Sequence, residues 1–193
     1  MLNSEKIIYD LCAGTGAWTE EYLKNGYDVR RITLPENDVY DLKPHAGVYG
    51  IFASPDCTQF SIARNEKTAK KKRDLREGME LVIACLDFIW GCRYLSKLQF
   101  WCLENPRGFL RQLLGKPFFT FKAYEYGDLW VKTTDLWGYF KIPKKRIVGD
   151  LLKPLIDRDR IKRSLVNLDY HTRKEARAIT PPGFSRAFFE ANT

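Results

Sequence analysis

Short apolar runs alternate with longer stretches of helical periodicity along this chain. Most of the short runs contain β-branched or aromatic residues and end at a proline, a glycine or a polar group, which is typical of strands in a parallel sheet. The pattern predicts strands at 6–11, 28–34, 47–53, 98–103 and 134–140, and helices at 18–25, 74–94, 109–114 and 184–191. This alternation predicts an α/β fold with a doubly wound, mostly parallel sheet.

The helix predicted at 74–94 has strong helical periodicity. Its apolar residues recur at helical spacing, so we expect them to face the sheet together. They are Leu75, Met79, Val82, Ile83, Leu86, Ile89 and Trp90.

Basic residues are in excess, since 32 Lys and Arg exceed 24 Asp and Glu by 8 in a chain of 193 residues. The excess is concentrated at 67–73, 141–146 and 158–163. Any one of these clusters is equally well explained as a solvated face. Three together favour a polyanionic partner, and nucleic acid is the one expected.

Five cysteines and two histidines lack the paired spacing of metal ligands. Reduced thiols are therefore predicted, and no metal site is expected. The first residues contain no apolar leader, and no apolar stretch reaches the length of about 18 residues that a membrane span needs. We expect a cytoplasmic protein with no membrane contact.

Three short segments follow predicted strands and carry candidate chemistry. A glycine-rich turn occupies 10–16, Cys57 lies within 54–61, and Glu104 opens the sequence Glu-Asn-Pro. In open α/β sheets, ligands bind outside the carboxyl ends of the strands. Each segment also has an ordinary interpretation: a tight turn without the third glycine of a dinucleotide fingerprint, an inert core thiol, and a solvated carboxylate.

In order and spacing, the three segments together resemble the core motifs of C5-cytosine DNA methyltransferases. Looser matches are Tyr126 to Lys132, which resembles a later motif of that family, and Ile179 to Phe184, which resembles its C-terminal proline motif. The resemblance implies a single catalytic domain over 1–193, with a Rossmann-like fold of the S-adenosylmethionine-dependent type. A short basic segment, about 141–175, stands where the family has a sizeable target-recognition domain.

The resemblance also assigns roles to residues. S-adenosylmethionine would be held by the turn and by nearby positions, namely Asp10, Leu11, Cys12, Ala13, Gly14, Thr15, Gly16, Glu36, Asp38, Pro55 and Thr180. Cys57 would attack cytosine C6 as a thiolate, and Glu104 would contact N3 and the exocyclic amine. The target base would be flipped out of its duplex. Substrate contacts would come from Ser54, Gln59, Ser61, Arg64, Asn105 and Lys132.

Several positions depart from the family pattern. Asp56 replaces the usual proline before the nucleophile, and its charge should disfavour the thiolate. Cys12 replaces a frequent phenylalanine, and Lys132 stands alone where the family has spaced arginines. Fewer than 40 residues separate Tyr139 from Ala178, so weak sequence specificity is expected, or recognition supplied by a protein partner or a homo-oligomer.

Three hypotheses remain open from the sequence. The first is a DNA methyltransferase acting in a prokaryotic or phage-infected cell. The second keeps the chemistry and takes RNA as substrate, which is less expected. The third is a non-catalytic or partner-dependent nucleic-acid-binding homologue.

Overall fold

A six-stranded sheet is the centre of the computed structural model, which describes residues 2–62, 64, 69, 71–128, 132–146 and 179–193. Its strands are β1 (Ile7–Leu11), β2 (Asp28–Ile32), β3 (Val48–Ala53), β4 (Phe100–Pro106), β5 (Phe119–Lys122) and β6 (Thr133–Tyr139). Their order is β2-β1-β3-β4-β6-β5. The first four strands are mutually parallel, while β6 runs antiparallel to both of its neighbours.

Within the described residues, four α-helices accompany the sheet: α1 (Glu20–Lys24), α2 (Leu75–Leu95), α3 (Leu110–Leu114) and α4 (Pro182–Ala191). Short 3-10 helices lie at Asn3–Glu5, Val39–Asp41 and Ala123–Tyr126. The Asp74 carboxylate caps α2 by accepting hydrogen bonds from two backbone amides of the first turn. None of the described helices combines the length and apolar character needed to cross a bilayer.

Helices cover both faces of the sheet because neighbouring residues of each strand point to opposite sides. On one face, α2 and α3 pack against Tyr9, Ile51 and Leu103. On the other face, α1 and α4 pack against Ile8, Phe52 and Cys102 in a cluster rich in aromatic rings. The predicted α/β fold with a mostly parallel sheet is therefore confirmed.

The predicted elements are all present, with ends that differ by up to three residues. The strand predicted at 98–103 continues to Pro106, since it pairs with β6 along that length. Strand β5 was not predicted. It has four residues at the edge of the sheet, and its Phe121 ring stacks on Phe184 with centroids 3.6 Å apart.

The predicted face of α2 is wrong in part. Ile83 and Trp90 are about half exposed, at 49% and 52%, whereas Cys85, Phe88 and Cys92 are buried against the sheet. The buried stripe is rotated because two cysteines act as small apolar side chains at its centre. A hydrophobic pattern that omits cysteine misses this rotation.

Candidate active site

The three candidate segments meet at one edge of the sheet. From β1 the chain first adds β2 on one side and then returns to place β3 on the other side, so the strand order reverses between β1 and β3. Such a reversal opens a crevice at the carboxyl ends of the two strands. The glycine turn follows β1 and the Ser54 segment follows β3, and the Ser54 amide donates to the Leu11 carbonyl over 2.9 Å.

The glycine turn has a left-handed backbone at three positions, with φ of 58° at Cys12, 53° at Gly14 and 69° at Gly16. The Gly16 amide donates to the Ala13 carbonyl over 2.8 Å, which closes the turn. Gly14 and Thr15 are exposed, and their amides donate to no group in the described part of the chain. These two amides are therefore open to a ligand.

Asp10 and Leu11 lie beneath the turn, and both are buried. Asp10 accepts a hydrogen bond of 2.8 Å from the Thr19 hydroxyl. Burial raises the pKa of Asp10 to about 6, although the Thr19 hydrogen bond and the Arg31 charge oppose the rise. In this structure the Asp10 carboxylate supports the turn from inside the protein.

Two acidic candidates follow β2. Glu36 is exposed, whereas Asp38 is partly buried. The Asp38 carboxylate accepts from the Tyr40 amide over 3.1 Å and so caps the 3-10 helix at Val39–Asp41. The structure thus fixes the orientation of Asp38 and leaves Glu36 in solvent.

Cys57 lies in a tight turn directly after β3. Its carbonyl accepts from the amides of Phe60 and Ser61 at 3.0 and 2.8 Å. The buried Phe60 ring anchors the turn in the core. Asp56 is exposed, and its carboxylate accepts from the Thr58 amide over 2.5 Å. Cys57 is therefore a partly buried thiol on an ordered turn.

The Cys57 turn is tied to the segment that follows Glu104. The Asn105 side-chain amide donates to the buried Pro55 carbonyl over 3.1 Å. The Phe109 amide donates to the Phe60 carbonyl over 2.8 Å. Gly108 permits this approach, since a Cβ there would overlap the Phe60 carbonyl oxygen. The thiol and the carboxylate therefore belong to one hydrogen-bonded unit.

Glu104 pairs with Lys132, whose Nζ lies 3.3 Å from Glu104 Oε1. Both side chains are mostly buried, with exposures of 12% and 20%. The pair lies outside hydrogen-bond geometry, so Oε1 still has no hydrogen-bond partner among the described residues. The buried Asn105 Oδ1 likewise accepts no hydrogen bond from that part of the chain. Both oxygens suit an N–H donor on a bound molecule.

The charges around Cys57 oppose one another. Burial raises the pKa of Cys57, the Glu104 and Asp56 charges raise it further, and the Lys132 charge lowers it. Cys57 is therefore a thiol at neutral pH. Neutralising Glu104 would favour the thiolate.

Gln59 and Arg64, both expected to contact substrate, bind the protein itself in this structure. The Gln59 side-chain oxygen accepts from Arg64 Nη1 at 2.6 Å and from the Asp74 amide at 3.0 Å. The Gln59 amide group donates to Glu77 over 3.2 Å. Ser61, a third expected contact, accepts from Arg73 through its carbonyl. The Cys57 turn is thus also fixed to the start of α2.

The two looser motifs meet beside the glycine turn. Asp128 accepts a hydrogen bond from the Gly183 amide over 3.1 Å. Thr180 is buried at the entry to α4. Ser185, which sequence reasoning missed, donates to the Trp18 carbonyl over 2.9 Å and so fixes the segment after the turn. A polar residue within an apolar helix was the available signal.

Some expected features lie outside the described residues. These are most of the basic segment at 141–175, from 147 onward, and the centre of the later motif at 129–131. Among the residues that the structure describes, no group of three or more histidine, cysteine or acidic side chains could hold a metal ion.

The fold and the site define an α/β protein in which a thiol, a carboxylate and an ammonium group stand beside a glycine turn at a strand-order reversal. No protein-family model matches the chain, and no curated protein is significantly similar to it.

Proposed function

We propose that this protein is a DNA cytosine C5-methyltransferase of the Rossmann-like, S-adenosylmethionine-dependent type. The observation that carries the proposal is the grouping of Cys57, Glu104 and Lys132 at the sheet edge that also carries the glycine turn. Covalent catalysis at a ring carbon needs a nucleophile and a group that stabilises charge in the ring. This grouping provides both.

The cofactor site would be built on the open amides of Gly14 and Thr15, with the backbone of 10–13 and Gly16 shaping the turn. Glu36 and Asp38 follow β2 and would face the adenosine, while Pro55 and Thr180 would line the cofactor. S-adenosylmethionine supplies an electrophilic methyl group when bound. The exposed amides and the left-handed turn fit a ligand that approaches the backbone closely.

Cys57 and Glu104 would have separate roles in the reaction of the base. Cytosine C5 is a weak nucleophile, and addition of the Cys57 sulfur to C6 converts the ring to an enamine whose C5 is nucleophilic. Glu104 would contact N3 and the exocyclic amine, and its Oε1, which accepts no hydrogen bond from the described residues, suits the amine donor. After methylation, loss of the C5 proton and elimination of Cys57 restore the aromatic ring.

Glu104 and Lys132 would also control the pKa of the Cys57 thiol. When the Glu104 carboxylate accepts a hydrogen bond from the exocyclic amine of cytosine, that N–H dipole offsets part of its negative charge beside Cys57. The Lys132 charge then acts on Cys57 with less opposition, which lowers the Cys57 pKa. Binding of cytosine would thus favour the thiolate at the moment of attack.

Covalent trapping tests this proposal. A duplex containing 5-fluorocytosine blocks the elimination step, because its C5 carries fluorine in place of the proton that must be lost. We expect wild type with S-adenosylmethionine to form a denaturation-resistant protein–DNA adduct. Cys57→Ala should form none, and Cys92→Ala, which removes a buried thiol on α2, should keep the adduct. Absence of an adduct in wild type, on duplex and single-stranded DNA alike, would contradict the proposal.

A further inference from the structure

Two thiols outside the proposed catalytic pair are in contact. Cys12 Sγ lies 3.9 Å from Cys85 Sγ, and the two residues are 73 positions apart in the chain. Cys12 is partly exposed in the glycine turn, whereas Cys85 is buried on α2. All five cysteines lie within the described residues, and this is the one thiol pair in contact there.

The backbone at Cys12 holds this contact in place. Its φ of 58° lies in the left-handed region, which residues with a Cβ rarely adopt. The next residue, Ala13, donates its amide to the Ile32 carbonyl over 3.0 Å. Such a conformation persists where its surroundings determine it. The turn therefore presents the Cys12 sulfur to Cys85 reproducibly.

We propose that Cys12 and Cys85 form a reversible disulfide on reaction with hydrogen peroxide, and that this bond closes the glycine turn to its ligand. Formation of the disulfide does not depend on the function proposed above. The effect of the disulfide on cofactor binding rests on that proposed function.

The reaction takes place in two balanced steps. Cys12 loses its proton, its thiolate attacks one peroxide oxygen and the O–O bond breaks; the released hydroxide takes up that proton, so a sulfenic acid and water result. The Cys85 sulfur then attacks the Cys12 sulfur, the S–O bond breaks, and the released hydroxide leaves as water with the Cys85 proton. In sum, two thiols and one peroxide give one disulfide and two waters. A dithiol reductant reverses the bond by exchange.

The order of the two thiols follows from their positions. Contact with Cys12 and burial raise the pKa of Cys85, so Cys85 stays protonated at neutral pH. Peroxide also reaches the partly exposed Cys12 more readily than the buried Cys85. Cys12 therefore reacts first and Cys85 resolves the sulfenic acid.

The bond requires movement of the turn. A disulfide holds its sulfurs about 2.0 Å apart, so the two sulfurs must approach by roughly 2 Å. Cys85 belongs to a 21-residue helix packed in the core, whereas Cys12 lies on a short turn. The turn should therefore move toward α2, and the open amides of Gly14 and Thr15 should move with it.

The test combines disulfide mapping with ligand affinity. Purified protein is treated with hydrogen peroxide, alkylated and mapped by peptide mass spectrometry. We expect a Cys12–Cys85 disulfide that dithiothreitol removes. Calorimetric affinity for S-adenosylhomocysteine should fall by about tenfold or more on oxidation and return on reduction. Oxidation of Cys12 to a sulfinic acid with Cys85 still free would overturn the inference.

Two variants sharpen the test. In Cys85→Ala, peroxide should leave a Cys12 sulfenic acid that dimedone traps, with no disulfide and no reversible affinity loss. Cys85→Ser serves the same purpose if the alanine variant folds poorly. Cys92→Ala, on the same helix, should behave as wild type. A mapped disulfide with unchanged affinity would overturn the closing of the turn.

Failure of the two proposals can be told apart. If reduced protein does not bind S-adenosylhomocysteine, the cofactor assignment fails. Amide hydrogen exchange at residues 12–16 then reports on the turn without a ligand. A change in these exchange rates on oxidation, reversed by reduction, supports the inference. Identical exchange rates in the oxidised and reduced forms overturn it.

Discussion

At the residue scale, the state of the Cys57 thiol depends on a few nearby charges. Glu104 and Asp56 disfavour the thiolate and Lys132 favours it. The Glu104 charge therefore lowers thiol reactivity in the free protein, while the Glu104 carboxyl is needed in the proposed reaction. Reactivity and catalysis should respond to its removal in opposite directions.

Glu104→Gln should raise the rate at which iodoacetamide alkylates Cys57 at pH 7 by about threefold or more, because a like charge is lost and the thiol pKa falls. Lys132→Met should lower this rate, since the favourable charge is lost. Peptide mass spectrometry of the Cys57 peptide over a range of pH gives both rates. Both variants should lose methyl transfer.

The matched control for this pair is Glu80→Gln, which removes an exposed carboxylate from α2 and should leave the alkylation rate unchanged. Equal rates in wild type, Glu104→Gln and Lys132→Met would show that these charges do not act on Cys57.

Asp10→Asn should change the pH dependence of stability. The folded protein binds the Asp10 proton more tightly than the unfolded chain does, because its pKa rises from 3.8 to about 6. The Asp10 contribution to the unfolding free energy therefore falls as pH rises through this window. The stability of the variant relative to wild type should increase by about 3 kcal/mol between about pH 3 and pH 7.

Urea unfolding at several pH values measures this difference. Asp41→Asn, at an exposed position, should differ from wild type in unfolding free energy by an amount that stays constant with pH. A difference for Asp10→Asn that is constant with pH would mean that the Asp10 pKa is not raised.

At the element scale, Gly108 joins the end of β4 to the Cys57 turn. Gly108→Ala should lower the unfolding free energy by about 1–3 kcal/mol, because the new Cβ overlaps the Phe60 carbonyl and the backbone must move. It should also weaken methyl transfer, since the same movement displaces Cys57 from Glu104.

Arg107→Ala is the control, as its exposed side chain precedes Gly108 and should alter stability by less than about 0.5 kcal/mol. Chemical denaturation measures both variants. Equal stability of Gly108→Ala and Arg107→Ala would mean that the two segments are not packed as described.

The main elements were predictable because short apolar runs and a periodic helix are local signals. Strand β5 was missed because four residues at a sheet edge give little pattern. The rotated face of α2 was missed because Cys85 and Cys92 act as core residues there. Sequence also indicated Cys57, which follows β3, and Glu104, which lies near the carboxyl end of β4. The Lys132 pair and the Gln59 contacts arise from tertiary packing, which no local pattern encodes.

At the scale of the whole molecule, the excess of 8 positive charges should govern binding to nucleic acid. We expect affinity for mixed-sequence duplex DNA to fall steeply with salt, with a slope of about −4 or steeper in log–log form. Discrimination among sequences should be weak, because few residues are available for base readout in a major groove. Fluorescence anisotropy with competitor duplexes measures both quantities.

Lys144→Gln, at an exposed position of the cluster 141–146, should reduce the salt slope by about 1 if it contacts a phosphate. A tight preference for one short site, or binding that is insensitive to salt, would contradict this account of recognition.

Transfer of labelled methyl from S-adenosylmethionine to mixed-sequence DNA and to RNA, with base-resolution mapping of the product, tests directly whether this chain is a DNA cytosine C5-methyltransferase. We expect 5-methylcytosine in DNA that disappears with Cys57→Ala and persists with Cys92→Ala. Transfer to RNA alone would contradict the DNA assignment. No transfer to either polymer, despite cofactor binding, would contradict catalysis by this chain.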